Sequence, residues 1–275
     1  MTAALCLTSC SDKWDEHYGD ASEGVAKSTL WEAIDGNADL SNFAKVAKAC
    51  GYDLTLDGSQ TFTVFAPTNS SLSSEQADSM INLYNEKKVA GVKTAENPVV
   101  KQFLQNHIAL YRQSVSSVTS DSLVMMNGKY QPLTSSAIGG EAFDVRNDLH
   151  TNGILYTLKG KIDYEPNVFE YLAMDNDLDS VCHFIEKFGQ YKFDASQSVP
   201  GSIIDGKTHY LDSVMVYRNE FFDIYGSLNE EDSTYWMLAP TDSEWNRMVE
   251  TYTPYFNYDT KVDNRDSLQY VNTRM

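Results

Sequence analysis

The sequence predicts an α+β fold that is built twice along the chain, with the second copy incomplete. Three observations predict it. Amphipathic helical stripes recur at a fixed distance, a strand-like block with a polar turn occurs twice, and short strand patterns follow the helices of the first copy. The 275 residues suffice for two domains of ordinary size, and a hydrophobic share of 42% suffices for packed cores.

The first repeated pattern is a helical stripe with apolar residues at the i, i+3, i+4, i+7 spacing. It comprises Leu40, Phe43, Ala44 and Ala47 in the first copy and Leu178, Val181, Cys182 and Ile185 in the second. The two sets are a constant 138 residues apart. Asp39 and Asp177 precede the stripes, where each carboxylate is expected to cap the free N–H groups of its helix.

The second repeated pattern is a β-strand followed by a polar turn. β-Branched and aromatic residues over 61–67 predict the strand, and residues 235–240 repeat it 173 residues later. This distance exceeds that of the helical stripe by 35 residues, so we expect an insertion in the second copy, at about 191–232. Within the insertion, residues 202–210 predict a hairpin that turns at Asp-Gly. After the second strand, Thr241 and Glu244 form a predicted capping box.

Three motifs follow one another in the first copy. Residues 65–69 read Phe-Ala-Pro-Thr-Asn, residues 103–108 read Phe-Leu-Gln-Asn-His-Ile, and residues 152–158 read Asn-Gly-Ile-Leu-Tyr-Thr-Leu. Together they resemble the signatures of fasciclin-like (FAS1) domains, and residues 238–242 of the second copy resemble the opening signature. The resemblance implies a β wedge or sandwich packed against a cap of α-helices. It assigns structural roles to Ala66, Pro67, Thr68, His107, Asn152, Gly153, Ala239, Pro240 and Thr241.

These patterns set the expected domain organisation. We expect a partial lipoprotein signal segment over 1–10, a polar tether over 11–26, a first fasciclin-like domain over 27–164 and a second over 165–275. The second domain lacks the later motifs, so its C-terminal half is predicted to be missing. We therefore expect residues 245–275 to pack poorly.

The first ten residues resemble the end of a lipoprotein signal. Leu7-Thr8-Ser9-Cys10 is similar to the lipobox of bacterial lipoproteins, in which the peptide is cut before an acylated cysteine. The resemblance implies lipidation of Cys10, a lipid anchor in the membrane, and a cell-envelope location that is surface-exposed at the outer membrane. The sequence departs from the pattern because it has no basic n-region and its apolar stretch is short. The alternative is a plain apolar start with a chance cysteine.

Charge and cysteine usage exclude several classes of protein. The formal net charge is −18, with no basic run, so nucleic-acid partners are excluded. No apolar window of about 20 residues predicts a membrane-spanning helix. Beyond the leader, only Cys50 and Cys182 remain, so neither a disulfide framework nor a zinc knuckle is predicted.

We predict no catalytic residue, no metal ligand and no cofactor. No hydrolase elbow, phosphate loop, dinucleotide fingerprint or zincin motif occurs. A further apolar stripe predicts a helix over 99–108, with Val99, Val100, Phe103, Leu104, His107 and Ile108 on one face. The place of His107 on this stripe favours a structural imidazole, and Asn106 stands where the resemblance implies the tyrosine of a Tyr-His pair. Cys182 beside His183 is interpreted as core filling. The oxygen-rich run over 175–179 is interpreted as helix capping, with calcium binding as the alternative.

Aromatic residues are dense over 191–258. They either fill the core of the second domain or stack on a ligand. The candidate ligand-binding residues are Tyr210, Tyr217, Trp236, Tyr252 and Tyr255. We therefore predict a non-enzymatic cell-surface lipoprotein that mediates adhesion or binds a protein or other ligand through tandem fasciclin-like domains. The alternatives are an accessory lipoprotein that binds glycans through these aromatics and a hydrolase-type enzyme, and the oligomeric state stays open.

Overall fold

The computed structural model describes residues 28–115, 121–204, 206–212 and 214–255. The chain divides after Glu165 into two compact units, called unit 1 and unit 2 below. The expected signal segment over 1–10, with its lipidation site Cys10, and the tether over 11–26 lie outside the described residues.

Unit 1 begins with helices that surround one central strand. Its first elements are α1 (Leu30–Asp35), α2 (Ser41–Ala49), α3 (Tyr52–Asp57), β1 (Phe62–Pro67) and α4 (Ser74–Val89), with 3-10 turns at Ala38–Leu40 and Thr94–Glu96. The helical stripe predicted around Leu40 is buried, with Leu40 and Phe43 fully inaccessible. The starts of α1 and α4 carry capping boxes, Thr29 with Glu32 and Ser73 with Gln76, which fix where each helix begins.

The segment over 99–110 is less regular than the helix that its apolar stripe predicts. A π-helix spans Val99–Leu104, a 3-10 turn spans Gln105–His107, and strand β2 begins at Ile108 and ends at Leu110. The helical prediction was therefore wrong at its C-terminal end. Residues 106–109 at this end are all buried, and a short run of buried residues satisfies a helix or a strand equally well, so periodicity alone does not separate them.

A seven-stranded mixed sheet completes unit 1. The remaining strands are β3 (Asp121–Val124), β4 (Tyr130–Leu133), β5 (Ala137–Ile138), β6 (Glu141–His150) and β7 (Gly153–Leu158). The strand order is β2-β1-β7-β6-β5-β4-β3, in which β1 and β7 are parallel and the other pairs are antiparallel. A bridge between Ala109 and Met125 brings the two ends of the sheet together. The predicted α+β class is thus confirmed for this unit.

Strand β1 separates two hydrophobic cores. Phe62, Val64 and Ala66 belong to the cluster that contains the helices, whereas Phe65 belongs to the cluster inside the sheet. Within the second cluster the rings of Phe65 and Tyr156 stack at 5.0 Å between centroids. Because successive side chains of a strand point to opposite faces, a strand with both faces buried reads as a continuous apolar run.

Unit 2 consists of four helices and two small two-stranded sheets among its described residues. The elements are α5 (Val168–Met174), α6 (Asp179–Glu186), β8 (Gly189–Phe193), β9 (Val199–Ile204), β10 (Lys207–Asp212), β11 (Met215–Asn219), α7 (Glu220–Tyr225) and α8 (Asp242–Tyr252). β8 pairs with β11 and β9 pairs with β10, both antiparallel. The hairpin predicted over 202–210 is therefore present, with Gly206 at a φ of 73°.

The strand predicted over 235–240 is not formed. Tyr235, Met237 and Ala239 pack against the core of unit 2, whereas Trp236 and Leu238 are fully exposed. Among the described residues no strand pairs with this segment. A β-strand requires a neighbouring strand that bonds its N–H and C=O groups. This segment therefore keeps the alternating side-chain directions of a strand but has no ladder of backbone hydrogen bonds.

In the helix that follows, α8, none of the residues is buried. Poor packing was predicted over 245–275, and residues 256–275 of that stretch lie outside the described residues. Trp245 is the main anchor of α8, since its ring lies 5.4 Å from that of Phe184 in α6. Thr241 occupies the N-cap position as predicted, but the predicted Thr241–Glu244 capping box is not formed, because the Thr241 side chain makes no cap bond.

Four local hydrogen-bond patterns recur in the two units at the two sequence distances. The first two lie 138 residues apart, around the first helices. Thr29 and Glu32 form a capping box that Asn167 and Glu170 repeat. The Asn37 side chain accepts from the Asp39 N–H at 2.9 Å, and Asp175 accepts from the Asp177 N–H at 3.0 Å. The caps expected at Asp39 and Asp177 are therefore misplaced by two residues.

The other two recurring patterns link the polar turn to the helix of the apolar stripe. Asn69 Oδ1 accepts from the backbone N–H of Asn42 at 3.1 Å, and Asp242 Oδ1 accepts from that of Ser180 at 2.7 Å. The Thr68 and Ser70 hydroxyls lie 2.8 Å apart in unit 1. In unit 2 the matching hydroxyls of Thr241 and Ser243 lie 3.1 Å apart.

Candidate functional site

The Asn-Gly motif of unit 1 is a buried joint between strand and helices. Asn152 Oδ1 accepts from the Leu30 N–H at 2.8 Å, and its amide donates to the carbonyls of Leu56 and Gly58, each at 2.7 Å. A Cβ on Gly153 would overlap the Phe62 carbonyl oxygen. The pair therefore serves to bring β7 against β1 and to tie the ends of α1 and α3 to it.

His107 is a fully buried imidazole with both nitrogens engaged by backbone groups. Nδ1 donates to the Phe103 carbonyl at 2.8 Å, and Nε2 accepts from the Ile162 N–H at 3.1 Å. Burial lowers the pKa of His107 to about 4, an effect that the Phe103 hydrogen bond partly opposes and nearby Lys161 reinforces. The neutral ring is thus a fixed link between the π-helix and the chain that leaves the sheet.

Asn106 replaces the family tyrosine and has its own set of partners. Its amide donates to the carbonyls of Ile162 and Asp163, at 3.4 and 3.1 Å. Its Oδ1 accepts from the amide groups of Asn127 and Gln131, at 3.0 and 3.4 Å. This buried side chain therefore holds the Asn-Gly turn before β4 against the last residues of unit 1.

The Ala-Pro-Thr motif closes the other end of β1. Ala66 is fully buried, Pro67 pairs with Leu158, and the Thr68 hydroxyl donates to the Leu158 carbonyl at 3.2 Å. The next residue, Asn69, donates to the Ala38 carbonyl at 2.8 Å. In unit 2 the matching residue Ala239 packs against the core. No described strand pairs with this segment of unit 2 in the way that β7 pairs with β1 at Pro67.

The two described thiols are buried and free. Desolvation raises the pKa of Cys50 to about 12 and that of Cys182 to about 11. A thiol with a raised pKa carries little thiolate, which is the nucleophilic form. Cys182 lies in the core of unit 2 while His183 is exposed, so the two side chains do not share a site.

The oxygen-rich run of unit 2 serves a short turn. Asp175 caps the 3-10 turn over Asn176–Leu178, in agreement with the capping interpretation. Over the described ranges, no group of three or more His, Cys, Asp or Glu side chains is placed to hold a metal ion. Within the same ranges, no helix has the length and apolarity that a bilayer crossing requires.

The candidate ligand-binding aromatics of unit 2 do not converge on one site. Tyr217 is half-buried against the core and its ring lies 5.5 Å from that of Tyr191. Trp236 is fully exposed, and Tyr252 and Tyr255 are exposed near the end of α8. The side chain of Tyr210 lies outside the description. The late aromatics thus divide between core filling and exposed surface.

An exposed apolar edge is the most distinctive surface of unit 2. Residues 235–239, called the bare edge below, precede α8, have no regular secondary structure and alternate between half-buried and exposed side chains. A groove of about 400 Å³ borders it, lined by Val168, Tyr171, Leu178, Met237 and Ala239 among others. The sequence predicted a strand at these residues and did not predict their exposure. The matching motif in β1 is fully buried.

Residues 38–162 match the family model described as the fasciclin domain. This stretch of the chain is a fasciclin domain. Fasciclin domains are generally non-catalytic binding domains and are typically associated with adhesion. The matched stretch lies within unit 1 and contains the motif residues from Ala66 to Gly153.

One solved structure similar to the chain is described as a FAS1 domain pair from the insect cell adhesion molecule fasciclin I. The sequence identity is 16% and the TM-score is 0.37. The similarity covers 50% of this chain and 52% of the solved one, so the chain spans about half the length of that relative. No curated protein matches the chain.

Proposed function

We propose that this chain is a non-enzymatic lipoprotein of the cell envelope that binds a protein ligand, or mediates adhesion, through fasciclin-type modules. One observation carries the proposal: the fasciclin domain over 38–162 uses its buried polar motif residues as internal links. Backbone carbonyl or N–H groups are bonded by the side chains of His107, Asn106 and Asn152. These bonds build a rigid scaffold, and the surface of that scaffold is available to bind a ligand.

The tandem organisation is part of this proposal. The family model covers residues 38–162, and the proposed second module spans 165–275 with an insertion at about 191–232. The four recurring hydrogen-bond patterns support it, since Asp242 stands to Ser180 as Asn69 stands to Asn42. A chance similarity of apolar spacing would not reproduce polar contacts between residues 27 and 62 positions apart.

The lipid anchor is the second part of the proposal. The lipobox-like Leu7-Thr8-Ser9-Cys10 supports acylation of Cys10, and several acyl chains would hold the protein at the outer membrane, exposed at the surface. The test is mass spectrometry of the protein expressed from its own gene in its native host. We expect acyl groups on Cys10 and membrane fractionation that Cys10→Ser abolishes and the matched Cys6→Ser retains. A soluble, unmodified protein would contradict the anchor.

The binding role is tested with beads coated with the chain and offered to cell-envelope preparations. We expect saturable attachment that is lost when the envelopes are treated with protease and kept when they are treated with periodate, which destroys glycans. Attachment no greater than that of albumin-coated beads would contradict the proposal.

Glycan binding is the second candidate function, favoured by the exposed aromatics of unit 2. Trp236, Tyr252 and Tyr255 present rings to solvent, and aromatic faces stack on sugars. If this candidate is correct, bead attachment is lost on periodate treatment, and a glycan array gives signals that Tyr252→Ala and Tyr255→Ala reduce. Tyr111→Ala, which removes an equally exposed ring from unit 1, is the control.

A further inference from the structure

The bare edge has the side-chain pattern of a strand of which one face is covered. Exposure alternates along 235–239, with Tyr235, Met237 and Ala239 directed to the core and Trp236 and Leu238 to solvent. Among the described residues, no backbone hydrogen bond satisfies the N–H and C=O groups of these five positions. An extended segment with open backbone groups and an apolar outer face is a template for strand addition.

Strand β1 shows what covers such a segment when the fold is complete. The 173-residue correspondence aligns Leu238 with Phe65 and Met237 with Val64. In unit 1 the Val64 face packs on the helices, as Met237 does, while the Phe65 face is enclosed by the sheet. The ladder from Phe62↔Gly153 to Pro67↔Leu158 places β7 in parallel beside β1. Among the described residues of unit 2, no strand lies beside the bare edge as β7 lies beside β1, and no cluster of buried side chains covers Trp236 and Leu238.

We propose that the bare edge is a docking site for an extended strand of a partner polypeptide, which adds in parallel and covers Trp236 and Leu238. The partner strand resembles β7 in chemistry: a small Asn-Gly entry that allows close approach, followed by aliphatic and aromatic residues. This inference rests on the tandem part of the proposed function and is independent of the lipid anchor.

Charge distinguishes this occupant from a second copy of the chain. The bare edge lies between the acidic run Glu230, Glu231 and Asp232 on one side and Asp242 on the other. Two copies paired antiparallel would bring these acidic ends together, which is unfavourable. A parallel strand of the β7 type is followed by lysines, Lys159 and Lys161 in unit 1. The counterpart of Lys159 would lie close to Asp242, so the charges are complementary.

The experiment measures binding of a strand peptide to the full chain. A fluorescein-labelled peptide with the sequence of residues 151–161 is titrated with the protein, and its fluorescence anisotropy is recorded. We expect saturable binding that a scrambled peptide of the same composition does not show. Trp236→Glu and Leu238→Glu each weaken it by roughly tenfold or more, because each removes a large apolar contact and adds repulsion. Leu54→Glu changes an exposed leucine of unit 1 and leaves binding unchanged.

Amide hydrogen exchange reports whether the peptide sits at the proposed place. Bound peptide should slow exchange at residues 235–239 and leave β1 unaffected. Absence of saturable binding, or binding that both bare-edge variants retain, overturns the proposal. So does self-association in sedimentation that Leu238→Glu abolishes, since a second copy would then be the occupant. If the peptide fails while beads still attach to envelopes, the docking site is wrong and the binding function stands.

Discussion

At the scale of single residues, buried amide and imidazole side chains link the segments of the fasciclin domain to one another. Asn152, Asn106 and His107 each satisfy backbone groups of segments that are far apart in sequence. A buried polar group is tolerated only when it is paired, and truncating one partner leaves the other unsatisfied at about 1–3 kcal/mol. These three residues therefore serve the folding of the domain.

His107 makes the stability of the fasciclin domain depend on pH. Its folded pKa of about 4 lies below the ordinary value of 6.5, so the unfolded chain takes up the proton first as the pH falls. Stability is fully present above about pH 6.5 and is lost toward pH 4, with about 2 kcal/mol lost between pH 7 and pH 5. Urea unfolding across that range should show this loss.

A pair of histidine variants isolates this effect. In His107→Gln the domain is less stable at pH 7, but its unfolding free energy changes less between pH 7 and pH 5. His183→Gln, at an exposed position of unit 2, should keep the wild-type pH dependence. An unchanged pH dependence in His107→Gln would contradict the buried neutral imidazole.

Gly153 is required because there is no room for a Cβ atom at this position, whereas its backbone φ is one that other residues also adopt. In Gly153→Ala the new methyl group would overlap the Phe62 carbonyl, a backbone atom of the central strand that cannot move cheaply. We expect a loss of about 3 kcal/mol in unfolding free energy, measured by urea denaturation. Gly58→Ala is the matched control, since its methyl group meets only ordinary contacts at 3.4 Å or more. Equal effects of the two changes would contradict this account.

At the scale of elements, the polar turn after the strand organises the helix of the apolar stripe in both units. Asp242 accepts from the Ser180 N–H in the first turn of α6, where a carboxylate also interacts favourably with the helix dipole. Asp242→Ala should destabilise α6 by about 1–2 kcal/mol, seen as faster amide exchange over 179–186. Asp242→Asn, which restores the residue type of Asn69, should retain most of the protection. Equal loss in both variants would contradict the shared turn.

Helices with a single buried face and strands rich in β-branched and aromatic residues could be predicted from the sequence, and elements defined by distant partners could not. The apolar stripe predicted α2 and α6, and the β-branched and aromatic residues over 61–67 predicted β1. The end of the 99–108 stripe was wrongly predicted to be helical because residues 106–109 are all buried, which a short strand satisfies as well as a helix does. Residues 235–239 were wrongly predicted to form a strand, because a strand forms only where a neighbouring strand pairs with its backbone groups. The Asn69 and Asp242 links were missed since each joins positions 27 or 62 residues apart.

At the scale of the molecule, the two units differ in how much core they build. Among the described residues, unit 1 encloses clusters of 22 and 12 buried side chains and unit 2 encloses one cluster of 7. Both units contain a cluster that packs among helices, and the cluster enclosed by the sheet belongs to unit 1. The net charge of −18 opposes association of copies of the chain with one another.

Amide hydrogen exchange over the whole chain tests the central claim, namely that the opening motif is paired within a sheet in unit 1 and unpaired among the described residues of unit 2. We expect strong protection across 62–66 and exchange close to that of an unfolded chain across 235–239, while α6 in the same unit remains protected. Equal protection of the two segments in the free protein would contradict it.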